Sequence, residues 1–390
     1  MKKYFVSLFC LILAIVILMG FNSQSIVQAS ALFEDMSAKS YIVMDASGNV
    51  LLEKNPHEKH EVASICKLMT TLITLEHLDS GAIALDDKTV ASSYACDAEG
   101  SQAFLDAGSE YSIRDLIKSV IVASANDSAI VLAETIGGSE QNFVDMMNKK
   151  AKEIGMENTL YANSTGLPDN NQYSTAYDTA LLLNMVSKYQ LYLDDCKIWM
   201  DTLTHPSGRQ TELVNTNRLI KYYPNCVSGK TGYTDEAGYC LSSTAIKNDM
   251  KLTCVVLGCD TMANRFKESI ELYNYAFANF AKEKIVDSSV LIENTIKVCG
   301  GNQNSIQVRP EYDYCYTSVR TAKNDIQINY ELPSTLHAPI KKGDRVGNIV
   351  VTVNGEVVQN IPVVSNENVL KHSYSDVVNK IVSNFNVFGR

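Results

Sequence analysis

Ser64-Ile65-Cys66-Lys67-Leu68-Met69-Thr70-Thr71-Leu72-Ile73-Thr74-Leu75-Glu76-His77-Leu78 is the stretch on which the reading of this chain turns. Its apolar positions Ile65, Leu68, Met69, Leu72, Ile73 and Leu75 recur at helical spacing and Gly81 lies just beyond, so a helix is predicted with Ser64 at its N-terminal end. Residues three apart share a helix face, which brings the Lys67 amine to the Ser64 hydroxyl. A serine is a weak nucleophile until a base takes its proton, and lysine is such a base near neutrality only when burial and positive neighbours lower its proton affinity. A capping serine beside a solvated lysine is the ordinary alternative. Two further polar segments, Ser124-Ala125-Asn126 and Lys230-Thr231-Gly232, follow about 60 and 166 residues on and tip the balance. Lys230 can supply the neighbouring charge, and a helix N-terminus favours negative charge developing at the nucleophile.

Upstream of this stretch, Tyr41–Asp45 and Val50–Leu52 read as strands joined by the turn Ala46-Ser47-Gly48-Asn49. Downstream, helices are predicted over Ile113–Val122 and Ala129–Ile136, flanking the polar segment Ser124–Asp127, then over Gln141–Ile154 and Ala176–Lys188. Strands Gly238–Ala245 and Lys251–Gly258 surround the turn Lys247-Asn248-Asp249, and Arg265–Phe280 reads as a closing helix. Strands at both ends with helices between them predict an antiparallel sheet flanked by helices, an α/β sandwich over residues 32–282. From 283 to 370 the pattern changes to period two, with Asn354-Gly355 as a hairpin turn, which marks a separate small β domain.

The chain has 390 residues, 34 basic against 44 acidic, and a formal charge of −10, which provides no field for a nucleic-acid backbone. Residues 1–31 carry only Lys2 and Lys3 as charges, then an apolar run from Tyr4 to Phe21 and the small-residue pattern Ala29-Ser30-Ala31, so they read as a cleaved export signal. Cleavage leaves nine cysteines, an odd number whose scattered spacing gives no metal signature; they read as buried small hydrophobes rather than a disulfide framework. Residues 371–390 put Val377, Val378, Ile381, Val382, Phe385 and Phe388 on one helical face; contact with a membrane surface and docking on the protein itself are both open to it.

The three motifs together resemble those of the penicillin-recognising serine acyl-enzymes, specifically the low-molecular-mass penicillin-binding proteins that are serine-type D-alanyl-D-alanine carboxypeptidases of peptidase family S11. The resemblance extends to Ala63–Thr70, Ala123–Asp127, Asn163-Ser164-Thr165-Gly166-Leu167, Asn215-Thr216-Asn217-Arg218-Leu219 and Gly229–Tyr239. It implies a two-domain α/β (α+β) protein with the penicillin-binding-protein/β-lactamase-like transpeptidase fold followed by a small all-β domain. It also implies removal of the terminal D-alanine from peptidoglycan stem peptides, acylation by β-lactams, and no metal or other cofactor.

Carried onto this chain, the resemblance makes Ser64 the nucleophile, Lys67 its base and Ser124 a proton relay to the leaving D-alanine. Asn126 would donate to the bound peptide, Lys230 sustain positive potential, Thr231 meet the substrate carboxylate and Gly232 admit a strand closely. The backbone N–H groups of Ser64 and Tyr233 would form an oxyanion hole. Arg265 would help fix the carboxylate, with a surface salt bridge as its alternative. Tyr233 stands where histidine is frequent and Cys66 where threonine is common; Cys66 reads as a packing residue before a redox handle. The rival readings are a serine β-lactamase, for which no Glu-x-x-x-Asn segment is found, a decayed wall-binding protein, and an enzyme whose main activity is transpeptidation or endopeptidation.

Overall fold

The computed structural model of the chain describes residues 33–293, 295–373 and Val378. The expected export signal, and all of the expected C-terminal helix except residues 371–373 and Val378, lie outside these residues. The chain divides into two compact units, Met1–Ala278 and Asn279–Arg390, where the change of periodicity put the boundary at 282. The division falls earlier because Phe280–Val286 is a strand that pairs with Tyr314–Val319 of the second unit.

In the first unit, strands β1 (Ser40–Asp45), β2 (Val50–Lys54), β3 (Cys226–Thr234), β4 (Gly238–Lys247) and β5 (Met250–Cys259) form one antiparallel sheet in the order β2-β1-β5-β4-β3. Central β5 is buried at nearly every position and reads Leu252 to Leu257 with little polar interruption, as a strand covered on both faces must. It pairs Val255 with Ile42 of β1 on one side and Ser242 of β4 on the other. The turn between β4 and β5 places Asn248 and Asp249 at φ +50° and +59°, the left-handed pair that a two-residue hairpin needs.

Six longer helices complete the unit: α1 (Lys67–Asp79), entered through a 3₁₀ turn at Ala63–Cys66, then α2 (Ile113–Val122), α3 (Asn126–Gly137), α4 (Glu140–Glu153), α5 (Ala176–Val186) and α6 (Met262–Asn279). Leu68, Met69 and Leu72 of α1 are fully buried with Leu116 and Val120 of α2, Val131 and Leu132 of α3, and Phe143 and Met147 of α4. Each such side chain contributes roughly 1.5–3 kcal/mol by leaving water. Ser112 caps α2 by accepting from Asp115 N, and Ser139 and Thr175 cap α4 and α5 in the same way.

Helix α3 begins at Asn126, three residues before its predicted start at Ala129. Asn126 and Asp127, read as part of a polar turn, form its first turn because Asp127 is fully buried and accepts from Ala103 N, Leu105 N and Ser128 N. What remains of the turn is Ala123–Ala125, with Ser124 at φ +63°.

The second unit is all β over residues 280–373. It contains a four-stranded sheet ordered Val308–Pro310, Glu356–Ser365, Arg345–Val353, Ile326–Glu331, with a three-stranded and a two-stranded sheet beside it. Val308, Ile349, Val351, Ile361 and Val363 form its core. Asn354 and Gly355 make the hairpin turn at φ +52° and +86°, as their sequence predicts.

Candidate active site

The 3₁₀ turn and the start of α1 put Ser64 and Lys67 side by side: Lys67 Nζ donates to Ser64 Oγ at 2.8 Å and to Thr165 O at 2.6 Å. Lys67 has no solvent exposure, and burial pulls its pKa from the usual lysine range down to about 7. The amine therefore loses its proton in the range where a serine needs a base.

Thr165 lies in the loop Asn163–Leu167, which an aspartate-like turn holds in shape. Asn163 Oδ1 accepts from Thr165 N, Thr165 Oγ1 and Gly166 N, while Glu140 accepts from Ser164 N and Oγ. Ser164 O in turn accepts from Thr70 of α1 at 2.7 Å. Gly166 stands at φ +82°, and a Cβ there would sit 2.0 Å from Ala63 O. From the other side, a Cβ on Gly232 of β3 would meet Val62 O at 2.4 Å and Ser64 N at 3.3 Å. Two glycines thus allow a loop and a strand to close on the turn that carries Ser64.

The opposite wall is built from the α2–α3 connection and β3. Lys230 Nζ donates to Ser124 Oγ at 2.7 Å and to Thr231 O at 3.0 Å, and Thr231 Oγ1 donates to Thr216 Oγ1 at 2.7 Å. Burial, reinforced by the Lys67 and Arg265 charges, pushes Lys230 well below the usual lysine range. Asn126 Nδ2 donates to Glu99 O at 2.5 Å, and its Oδ1 is buried without a protein partner. The side chain expected only to donate to a peptide therefore also presents an acceptor.

Arg265 corrects one alternative: it is 6% exposed and makes no surface salt bridge, donating through Nη1 to Gly232 O at 3.1 Å and Cys240 O at 3.4 Å. Its Nε is buried with no protein partner. Tyr233 is half-exposed and stacks on Tyr239 with ring centres 4.3 Å apart. A cleft of about 730 Å³ brings together Ser64, Ser124, Asn126, Thr231, Gly232, Tyr233 and Arg265, with Lys67 and Lys230 buried behind it.

The sequence reading left several neighbours without a role: the Thr165 carbonyl on Lys67, Thr216 on Thr231, the backbone of Gly100 and Ser101, and Arg218, Trp199 and Met262 on the cleft wall. Thr165, Thr216 and Arg218 lie within segments already picked out for their resemblance, which was the available signal; the rest had none. All nine described cysteines are unpaired thiols. Cys66 is buried, directs its thiol to Asn163 O at 3.3 Å, and is pushed by burial up to about 12, out of the range of a reactive thiolate. Among the described residues no cluster of His, Cys, Asp and Glu could hold a metal ion.

The profile of the D-alanyl-D-alanine carboxypeptidase family matches residues 25–261, and that of the penicillin-binding protein 5 C-terminal domain matches 280–371. The chain is 35% identical over 356 residues to the D-alanyl-D-alanine carboxypeptidase DacF of Bacillus subtilis, covering 90% of each. Penicillin binding protein 5 of Haemophilus influenzae has a similar structure, with a TM-score of 0.73 at 30% identity over 86% of this chain and 98% of that one. Penicillin-binding protein 3 of Streptococcus pneumoniae, a peptidoglycan synthesis regulatory factor, gives a TM-score of 0.74 at 26% identity over 86% and 99%.

Gly166→Ala tests how tightly the nucleophile turn is held. A side chain at this φ should destabilise the first unit by at least about 1 kcal/mol. The displaced turn should slow labelling of Ser64 by a fluorescent penicillin about tenfold or more. Stopped-flow labelling and thermal melting check both; wild-type values would mean that the loop yields without moving the turn.

Proposed function

The chain belongs to the peptidase S11 family of serine-type D-alanyl-D-alanine carboxypeptidases, and on that premise we propose which of its residues perform the reaction. The observation that carries the assignment is the buried Lys67 amine 2.8 Å from the Ser64 hydroxyl. Neutral Lys67 takes the Ser64 proton as Oγ attacks the carbonyl between the two terminal D-alanines. The tetrahedral oxyanion is received by the backbone N–H groups of Ser64 and Tyr233, donors of a kind that typically supply about 3–4 kcal/mol of transition-state stabilisation.

Collapse of that intermediate breaks the C–N bond, leaving an ester on Ser64. Ser124, hydrogen-bonded to Lys230, gives its proton to the departing D-alanine amine and takes in its place the one that Lys67 removed from Ser64, which leaves Lys67 neutral again. Water then attacks the ester, Lys67 takes the water proton, and Ser64 regains its own. Thr231 meets the substrate carboxylate, whose charge favours the protonated form of Lys230, and the Arg265 guanidinium adds positive potential behind the same strand. Asn126 lines the peptide, offering both an amide N–H and its unpartnered oxygen.

β-Lactams acylate this family at its serine, and Ser64 is the residue we assign to that adduct. Peptidoglycan lies outside the cytoplasmic membrane, and the chain acts there. We read residues 1–31 as the export signal that delivers it, and the apolar positions of 371–390 as a contact with the outer face of the cytoplasmic membrane. Either reading is checked by N-terminal sequencing of the exported protein and by flotation with and without residues 374–390.

Three outcomes are expected. Mature protein should release D-alanine from a peptide ending in D-alanyl-D-alanine and Ser64→Ala should release none; serine-independent release would refute the assignment. Acylation by penicillin should fall about tenfold per pH unit below 7, as Lys67 gains a proton and ceases to be a base, and should level off above 7. A flat profile from pH 5 to 9 would put the base elsewhere. Arg265→Gln should raise KM for the peptide about tenfold while kcat changes less than about twofold; unchanged kinetics would remove Arg265 from the site.

A further inference from the structure

Building on the reaction proposed above, we infer that His205, Tyr111 and Arg209 are positioning residues forming a latch between a hairpin tip and the loop of residues 99–106: they fix that loop against Asn126 and Asp127, next to Ser124, and so set the rate of the chemical step. The latch connects two elements that support the same wall of the site, one through Asn126 and the other through Thr231. One is the hairpin of strands Met200–Thr204 and Gln210–Val214, whose foot continues into the cleft through Val214, Asn215 and Thr216, the last bonded to Thr231. Its tip is closed by His205 N donating to Arg209 O and Gly208 N donating to His205 O, both at 2.8 Å.

The other element is the loop itself. Gly100 and Ser101 line the cleft, Glu99 O accepts from Asn126 Nδ2, and Ser101 O accepts from Asn126 N at 2.7 Å. Two residues on, Ala103 N and Leu105 N donate to the Asp127 carboxylate at 3.0 Å each. Any shift of this loop is therefore a shift of the backbone and side-chain partners of Asn126, two residues from Ser124.

Tip and loop meet in a closed hydrogen-bond set. Arg209 Nη2 donates to Asp106 Oδ1 at 2.8 Å and to Phe104 O, while Ser207 Oγ donates to Asp106 Oδ2 at 2.7 Å. Tyr111 Oη accepts from Asp106 N at 2.8 Å and lies 2.8 Å from His205 Nδ1, to which Arg209 also donates at 3.2 Å. A guanidinium only donates, so Nδ1 is an acceptor and the imidazole proton sits on Nε2, 2.8 Å from Thr211 Oγ1. The His205 side chain has no exposure, and burial with the Arg209 charge keeps it neutral against the opposing pull of Asp106, 3.9 Å away, and of Asp127. Phe104, between the two Asp127 contacts, is held at φ +57° although it is not glycine and is 56% exposed. Such a conformation persists where its surroundings impose it, and here those are Arg209 on its carbonyl and Asp127 on either side.

His205→Leu removes the acceptor, His205→Gln returns one, and Arg209→Gln removes the donor at a partly exposed position, guarding against a variant that fails to fold. His205→Leu and Arg209→Gln should lower kcat for D-alanine release about tenfold with KM within about twofold, and His205→Gln should recover most of the loss. Wild-type kcat in the folded variants, or a rise confined to KM, would overturn the latch. Penicillin acylation of Ser64 separates this inference from the reaction it rests on. If the wild-type protein released no D-alanine yet was acylated, the proposed reaction would fall, and the latch would stand or fall on whether His205→Leu and Arg209→Gln slow acylation.

Discussion

Removing a lysine amine from water is costly unless the amine finds acceptors, and the catalytic unit is arranged around that requirement. Lys67 is fully buried, and its two acceptors come from different places: the hydroxyl of its own turn and the carbonyl of Thr165, 98 residues on. For Thr165 O to reach it, the loop 163–167 has to run against the nucleophile turn closely enough that Gly166 has no room for a Cβ. The need then spreads outward: Asn163 turns the loop, Glu140 fixes Ser164, and Thr70 of α1 binds the loop a second time. A buried amine that keeps its hydrogen bonds but loses its preference for a proton is the base that the chemistry requires.

The same economy governs the facing wall. Lys230 spans from β3 to Ser124, a residue in the left-handed region between two helices. Strain of that kind persists only when neighbours determine it. Ala125 N bonded to Ser119 O and the buried first turn of α3 are those neighbours. Two buried lysines thus stand behind the cleft, each bonded to a serine hydroxyl, Lys67 to Ser64 and Lys230 to Ser124.

How much of this the sequence disclosed depended on which force shaped each part. Helix α2 was legible to the residue because Ser112 caps it and its apolar positions recur at 3.6, the two signals that helices carry locally. Helix α3 was read three residues late because its first turn is polar and is buried by contacts from a distant loop, Ala103 and Leu105 on Asp127. Strand β3 was not read as a strand at all, since Ser228-Gly229-Lys230-Thr231-Gly232 is buried without alternation and holds two glycines against a single β-branched residue, Thr231; its conformation is imposed by β4 and by the turn carrying Ser64. The motif residues themselves were legible because the chemistry restricts their type and order. Arg265 was legible as a residue but not as a buried one, and Thr216, whose hydroxyl matters only once β3 lies beside it, had no separate signal.

The order of strands in the sheet has a bearing on time as well as space. Strand β1 opens the described chain and hydrogen-bonds to β5, more than two hundred residues later, while β2 is its only other partner. Until β5 is present, β1 has one edge open and the turn carrying Ser64 lacks β3 to close upon it. Contacts this distant in the chain form slowly, because a long loop must be closed before they are rewarded. A chain that emerges N-terminus first would thus leave the turn carrying Ser64 unassembled until almost the whole first unit had followed it.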